Sequence, residues 1–294
     1  MEIRHLRYFI AVAEELHFSR AAERLNIEQS PLSRTIKQLE TELGAVLFDR
    51  ASRGTRLTWA GQVFLEDARR VLLGIDQAKA NVKAAATGYR GTLRIALSDG
   101  IARSRLTTLL ALCREEEPEV EIRLFETPLS QQLKGLRSDL YDAGFALSDD
   151  VVDGIVAEPV WHDALVVAVP IRHPLLVHKR VPLHEVMNYP LVLCRPEVCQ
   201  GCSQQLDRLL NLVDAQPVVA ERVATHDLML TLVAAGYGVG FSNMARLEAS
   251  HHKDVIIRPL AGNPFMMTTY LLRPDSDPSE QLNSFMHRVN HVGS

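Results

Sequence analysis

The sequence predicts an α plus α/β chain in three parts: a small helical module, one long helix, and a larger region of alternating strands and helices. Three observations carry this reading. Residues 18–61 describe two short helices joined by a tight turn, then a basic loop, then the start of a third helix. Apolar residues from Phe64 to Ala85 recur every 3.5 residues. From Thr92 onward, short β-prone runs alternate with helical stretches.

With 294 residues there is room for two or three domains. Hydrophobic content of 47% and charged content of 23% fit a soluble globular protein. No apolar run approaches membrane-spanning length and no signal segment opens the chain, so a cytoplasmic location and no membrane partner are expected. Four cysteines do not suggest a disulfide scaffold. The net charge of −4 does not by itself favour nucleic acid, but it is unevenly spread. Residues 1–88 hold 13 Lys+Arg against 11 Asp+Glu, whereas residues 89–294 hold 19 against 25. The sign at the N-terminus suits DNA, though the imbalance is small.

Leu6, Phe9, Ile10 and Ala13 recur at helical spacing and predict a helix over about 2–15. Ser19 is placed to cap a second helix over Arg20–Leu25, and Ala21 and Ala22 permit close packing. Asn26-Ile27-Glu28 makes the turn. Ser30-Pro31 then reads as an N-cap followed by the first position of helix three, which stops at Gly44. Leu32, Ile36, Leu39 and Leu43 line its core face, leaving Gln29, Ser30, Ser33, Arg34 and Lys37 on the other. Gln and Arg can make bidentate contacts to base edges, Ser can bond to bases or phosphates, and a helix N-terminus favours a phosphate. Glu28 fits less well, since an acid beside phosphates repels them unless it points away. Val46–Phe48 and Arg56–Thr58 are expected as two short strands with Arg50, Arg53 and Arg56 around a basic wing. The plain alternative is a small helical domain with a solvated charged face.

A long helix is expected from Thr58 to about Ala86. Phe64, Ala68, Val71, Ile75, Ala78, Val82 and Ala85 are spaced 4, 3, 4, 3, 4 and 3, a coiled-coil seam for a second copy of the chain. Packing on the chain's own domain is the alternative. Beyond Gly88-Tyr89-Arg90-Gly91, strands are expected at 92–97, 120–125, 143–146, 165–169, 191–193, 218–223, 238–242 and 263–273. Helices are expected at 104–116, 130–138, 203–212, 228–235 and 279–292. Such alternation argues for a mostly parallel sheet with helices on its faces.

The first 65 residues closely resemble the LysR-type transcriptional regulator family. The match runs through Arg4-His5-Leu6-Arg7-Tyr8-Phe9, Ala21-Ala22, Leu25, Gln29-Ser30-Pro31-Leu32-Ser33, Ile36, Leu39-Glu40, Leu43-Gly44, Leu47-Phe48, Arg50, Thr58 and Ala60-Gly61. The opening also looks like the branch that controls aromatic-compound catabolism. The resemblance implies a winged helix-turn-helix at 1–58, a linker and dimerisation helix at 59–88, and an effector-binding domain at 89–294. That last domain would hold two α/β subdomains like those of periplasmic binding proteins, 92–162 with 268–294 and 163–267. Two crossing strands, near 161–169 and 266–272, would join them. The resemblance also implies base-reading or phosphate roles for Gln29, Ser30, Pro31, Ser33 and Arg34, and a minor-groove or phosphate role for Arg53. It places the effector cleft at Ser98-Asp99-Gly100, the loop Thr127, Pro128 and Ser130, then Cys199, Cys202 and Ser203, and Thr225-His226. Helix N-termini there favour an anionic ligand, whereas Asp99 suits an amine or hydroxyl or a pairing with Arg103. Each of these is equally an ordinary loop or capping residue when taken alone.

Cys194, Cys199 and Cys202 fall within nine residues, just before a helix. Thiols at helix N-termini become reactive, and CxxC spacing can close a disulfide or hold zinc. Cys199 matches the position of an oxidant-sensing cysteine in some LysR-type regulators. The second sensing cysteine of that pattern is missing, with Arg208 about where it would lie and Cys202 as a replacement. No further zinc ligands stand at regular spacing, and inert packing is the simpler reading.

No nucleophile elbow, P-loop or metalloprotease signature is present, so no enzyme, metal or cofactor is expected. The glycines in 236–240 follow a helix, unlike a dinucleotide fingerprint. A solute-binding protein is the other class, opposed by the N-terminal module. The expected partners are an operator in double-stranded DNA, a small-molecule effector and further copies of the chain as homodimer or homotetramer, with RNA polymerase as a further candidate.

Overall fold

The computed structural model describes residues 1–51, 54–86, 88–98, 101–211, 217–245, 253–262 and 265–293. Its contacts divide the chain into two units, Met1–Lys83 and Ala84–Ser294, so most of the long helix belongs with the N-terminal unit.

In the first unit, α1 (Ile3–Glu15), α2 (Phe18–Arg24) and α3 (Gln29–Leu43) enclose a core with Phe9, Val12, Ala21, Leu32, Ile36 and Leu39 sealed inside. Both helices after the first begin earlier than expected. His17, not Ser19, caps α2, its Nδ1 accepting from the Arg20 amide at 3.4 Å. Glu28 occupies the N-cap of α3 with no side-chain cap bond, which moves Pro31 to the third helical position. An amide there still lacks an intrahelical acceptor, so proline costs nothing. Asn26 turns the chain at φ 54° and Gly44 ends α3 at φ 65°. Leu43 is 40% exposed and leaves the core face as that last turn swings outward.

The wing is an antiparallel pair, β1 (Phe48–Ala51) and β2 (Gly54–Leu57), with Phe48 opposite Leu57. Both strands are displaced from the expected segments. The physical reason is Glu40, whose Oε1 accepts from the amides of Leu47 at 2.8 Å and Phe48 at 3.2 Å. That clamp keeps Val46–Leu47 as a connector to α3. The wing leads into α4 (Trp59–Ala86) through Thr58, whose hydroxyl donates to the Val46 carbonyl at 2.7 Å and accepts from the Gly61 amide at 3.0 Å. A side chain at Gly61 would overlap the Leu47 carbonyl oxygen, so only glycine fits.

The expected seam of α4 is divided. Phe64 packs on Phe9 with ring centroids 4.9 Å apart, and Ala68 is 1% exposed inside the same core. These two residues are spent on the chain's own domain because the first turns of α4 roof α1 and β1. From Val71 the stripe is presented outward, with Val71, Ala78, Val82 and Ala85 exposed and Ile75 half-buried. Trp59 and Val63, absent from the expected seam, are exposed as well.

The second unit contains β3 (Gly91–Leu97), α5 (Arg103–Glu116), β4 (Val120–Glu126), α6 (Leu129–Arg137), β5 (Ala143–Ala146) and β6 (Ile155–Pro170). After a 3-10 turn come α7 (Leu183–Val186), β7 (Leu191–Cys194), α8 (Gln200–Leu210), β8 (Val219–Val223), α9 (His226–Ala234), β9 (Gly240–Asn243), β10 (Val255–Pro259), β11 (Met266–Pro274) and α10 (Glu280–Gly293). The strand order is β10-β6-β11-β5-β3-β4, with β9 also on β6. β3 runs parallel to β4 and β5, while β6 and β11 run antiparallel to their neighbours. A parallel pair of β7 and β8 approaches β9 through the bridge Leu191↔Val239.

Two features depart from the expected elements. β6 is 16 residues long, because 155–164 pairs with β11 before 165–170 pairs with β9 and β10. Pro159 and the charges Glu158 and Asp163 in its first half hide it from pattern reading. β10 is absent from the expected list, although Val255-Ile256-Ile257 is plainly β-prone. Smaller shifts move α8 and α9 earlier, to Gln200 and His226. One core lies around stacked Phe145 and Trp161, with centroids 4.7 Å apart; another lies around Leu165, Val167, Leu191 and Leu206.

Because Gly61 touches the Leu47 backbone, Gly61→Ala is expected to destabilise the first unit by about 1–3 kcal/mol. Thermal unfolding of the full chain, followed by circular dichroism, would measure it.

Candidate functional site

On the first unit, α3 is anchored from below by Leu32, Ile36 and Leu39, all fully buried. The opposite side presents Gln29, Ser30, Pro31, Arg34 and Lys37 exposed, with Ser33 half-buried. Gln29, Ser30, Ser33 and Arg34 surround one shallow concavity. Ser19 donates its hydroxyl to Gln29 Oε1 at 2.9 Å, so the residue expected to cap α2 instead positions a side chain of α3. Arg34 lies 3.4 Å from Ser30 Oγ one turn earlier. Glu28 is exposed at the N-cap. Arg53 lies outside the described residues, so the structure does not place it.

The frame behind this face is held by charge. Glu14 pairs with Arg24 at 2.8 Å and with Arg69 of α4 at 2.8 Å. The Arg69 hydrogen bond outweighs partial burial and, with Arg24 beside it, holds the Glu14 carboxyl below the ordinary carboxylate range. These ties join α1, α2 and α4 behind α3.

In the second unit, a cavity of about 30 Å³ lies where the carboxyl ends of β5, β7 and β8 meet the starts of α8 and α9. Ligands of open α/β sheets bind at such strand ends. Cys199, Cys202, Ser203 and His226, all expected in a cleft, line it together with Cys194. His226 is 5% exposed, and its Nε2 lies 2.7 Å from Ser242 Oγ. Cys199 is the N-cap of α8 and is 5% exposed. Sequence reasoning missed Arg222, Asp207, Ser242 and Asn243, which supply further polar groups. The last two end an apolar strand with polar residues, a signal that was available. Leu193, Leu206, Met229, Phe241 and Met267 form apolar walls.

The other expected cleft residues do not line this cavity. Ser98 ends β3, its amide and hydroxyl both bonded to the Phe145 carbonyl at 3.0 and 3.2 Å. Thr127 donates to Gln131 at 3.3 Å and Pro128 is the N-cap of α6, so both help to start that helix. Ser130 is exposed within α6. Thr225 caps α9, accepting from the Leu228 amide at 3.2 Å, and so positions His226. Asp99 and Gly100 lie outside the described residues. Among the described residues no cluster suited to a metal ion occurs, and no helix is long and apolar enough to cross a membrane.

A helix-turn-helix with an outward α3 and a wing, followed by a two-lobed α/β unit with a cavity at its strand ends, defines a DNA-binding regulator with a ligand-binding-type domain. Residues 3–62 match the model of the bacterial regulatory helix-turn-helix protein, lysR family, and residues 86–293 match the LysR substrate binding domain. The chain therefore belongs to the LysR family of transcriptional regulators and is not an enzyme. It is 36% identical over 277 residues to the uncharacterized HTH-type transcriptional regulator YnfL of Escherichia coli K12, covering 93% of this chain and 92% of that protein. It is 35% identical to the probable cat1 operon transcriptional activator of Acinetobacter lwoffii, covering 90% and 86% respectively. Full-length CbnR complexed with its target DNA superposes with a TM-score of 0.78 at 27% identity, over 99% of this chain and 100% of that one.

Proposed function

We propose that this regulator is switched by a small organic effector bound in the cavity between β5, β7 and β8. The observation that carries the reading is the meeting of two helix N-termini, α8 and α9, on one cavity that mixes apolar walls with His226, Ser203, Asn243, Arg222 and a single carboxylate, Asp207. Helix starts favour negative charge. Among the described residues no carboxylate forms an ion pair with Arg222. A carboxylate-bearing ligand with an apolar body fits this lining, and the resemblance to the aromatic-catabolism branch makes aromatic acids the first to try. At about 30 Å³ the cavity holds roughly two waters, so any such ligand requires the lobes to separate. A ligand that binds the open arrangement better shifts the population toward it.

In this reading α3 enters the major groove, Gln29 and Arg34 read bases, and Ser30, Ser33, Lys37 and Arg53 meet bases or phosphates. Two copies pair along the outward stripe of α4 from Val71 to Val82, and two such pairs make a tetramer that bends the operator. Ser98 and the start of α6 with Thr127, Pro128 and Ser130 form the opposite lip once the lobes part; Asp99 and Gly100, outside the described residues, keep the effector-binding role proposed from the resemblance. A thermal-shift screen of small acids and aromatics against the full chain should reveal ligands; no stabilisation by any of them, beside unaltered DNA binding, would reject the effector reading.

A second reading, thiol sensing, is favoured by one observation: Cys194, Cys199 and Cys202 all line the same cavity. Mild peroxide followed by mass spectrometry, beside gel shifts of Cys199→Ser, tests it. Absence of thiol modification together with unchanged binding removes it.

Gln29→Ala is expected to relax base preference, costing about 1–3 kcal/mol on the preferred site and little elsewhere. Lys37→Ala should weaken all sites alike and lower the salt slope by about one. Binding titrations across operator variants and salt concentrations distinguish the two; equal losses everywhere for both would end the assignment. Ile75→Asp should dissociate the assembly and lower operator affinity with it. Sedimentation velocity of the variant provides the check, and an unchanged sedimentation coefficient would exclude the α4 stripe as the interface.

A further inference from the structure

We propose that one face of α8 is a clasp between the two lobes, and that the cavity opens only as this clasp gives. The proposal concerns regulation of the ligand site and rests on that reading of the cavity.

α8 carries two stripes at helical spacing. Cys202, Ser203 and Leu206 line the cavity. Gly201, Gln204, Gln205 and Arg208 face the segment that follows β5 in the other lobe. Gln205 is 6% exposed and its amide is fully engaged. Its Nε2 donates to the Leu147 carbonyl at 2.6 Å and the Thr268 carbonyl at 2.7 Å, while its Oε1 accepts from the Thr268 amide at 2.9 Å. One side chain thus imitates a neighbouring strand along β11, beside the register shift at Thr269/Tyr270. Ser148 donates to Gln204 Oε1 at 2.8 Å, and Arg208 pairs with Asp149 at 3.1 Å. A Cβ at Gly201 would sit 2.6 Å from the Leu147 carbonyl carbon, so helix and segment meet backbone to backbone. On its inner side α8 sends Leu206, Leu209 and Leu210 into the core around β7, together with Leu147 and Met267.

The geometry leaves a ligand few ways in. The cavity takes about two waters, and α8 forms one wall. Enlarging it at this wall moves α8 away from the segment after β5, and the bonds to Leu147, Ser148, Asp149 and Thr268 resist that motion. Gln205 acts as a positioning residue that holds the closed arrangement.

The test uses the full-length chain with Gln204→Ala and Arg208→Ala combined, since these side chains bond to Ser148 and Asp149 rather than to Thr268 and neither belongs to the buried core. Two readouts report at a distance: iodoacetamide labelling of Cys199, located by mass spectrometry, and hydrogen exchange of the Thr268 amide. Both are expected to rise roughly tenfold, as loss of two modest polar contacts shifts an opening equilibrium. Arg208→Lys alone should stay near wild type. Purely local contacts would leave both rates within twofold of wild type, and that result overturns the proposal. A rise at Thr268 without one at Cys199 also overturns it, because the clasp would then not gate the cavity. Neither readout needs DNA or effector, so failure here is separate from failure of the effector reading.

Discussion

Everything in the regulatory unit depends on β6 changing partners midway. Its first ten residues are hydrogen-bonded to β11 and its last six to β9 and β10, so one strand is a member of both lobes. The exchange falls at Ala164/Leu165, beside Asp163, a buried carboxylate bonded to Arg105 Nε at 3.1 Å. A backbone crossing between lobes must keep its amides and carbonyls paired throughout. Leu147, just after β5, and Leu193 of β7 accordingly line one cavity.

The N-terminal unit meets a different constraint. Its outward helix α3 is fixed beneath and open above. Three side chains with no exposure provide the first condition, and short polar residues with little apolar surface provide the second. Glu40 adds a link, because a single carboxylate of α3 satisfies two amides at the root of the wing. Helix and wing therefore share one frame.

Much of this organisation is legible in residue order. The turn at Asn26, the stop at Gly44 and the buried stripe of α3 follow from local rules, and the strands and helices from 91 to 146 lie within a residue or two of expectation. What is not legible is decided by tertiary partners. A heptad pattern records which residues are apolar but not what covers them, so Phe64 and Ala68 went to the wrong side. Ser19 is a good capping residue that a nearby Gln29 recruits instead. The cavity is divided in the same way: Cys199, Cys202, Ser203 and His226 stand together at helix starts, whereas Ser242 and Asn243 come from a separate strand, β9, whose neighbours no local pattern specifies. The hydrogen-bonding role of Gln205 is equally invisible, since nothing in the sequence marks a side chain that pairs with backbone 63 residues away.

The contact between Gly61 and Leu47 bears on how such regulators can be recombined. Residue 58 is where a reader of the sequence would cut the chain to graft one DNA-binding head onto another regulatory body. Yet Thr58 and Gly61 dock the start of the long helix onto the connector before the wing, and Phe64 and Ala68 close the same core. A junction at 58 would part a helix from the socket its own sequence was shaped to fill. The natural seam for exchange lies beyond Leu72, the last residue of α4 that packs against the core of the head.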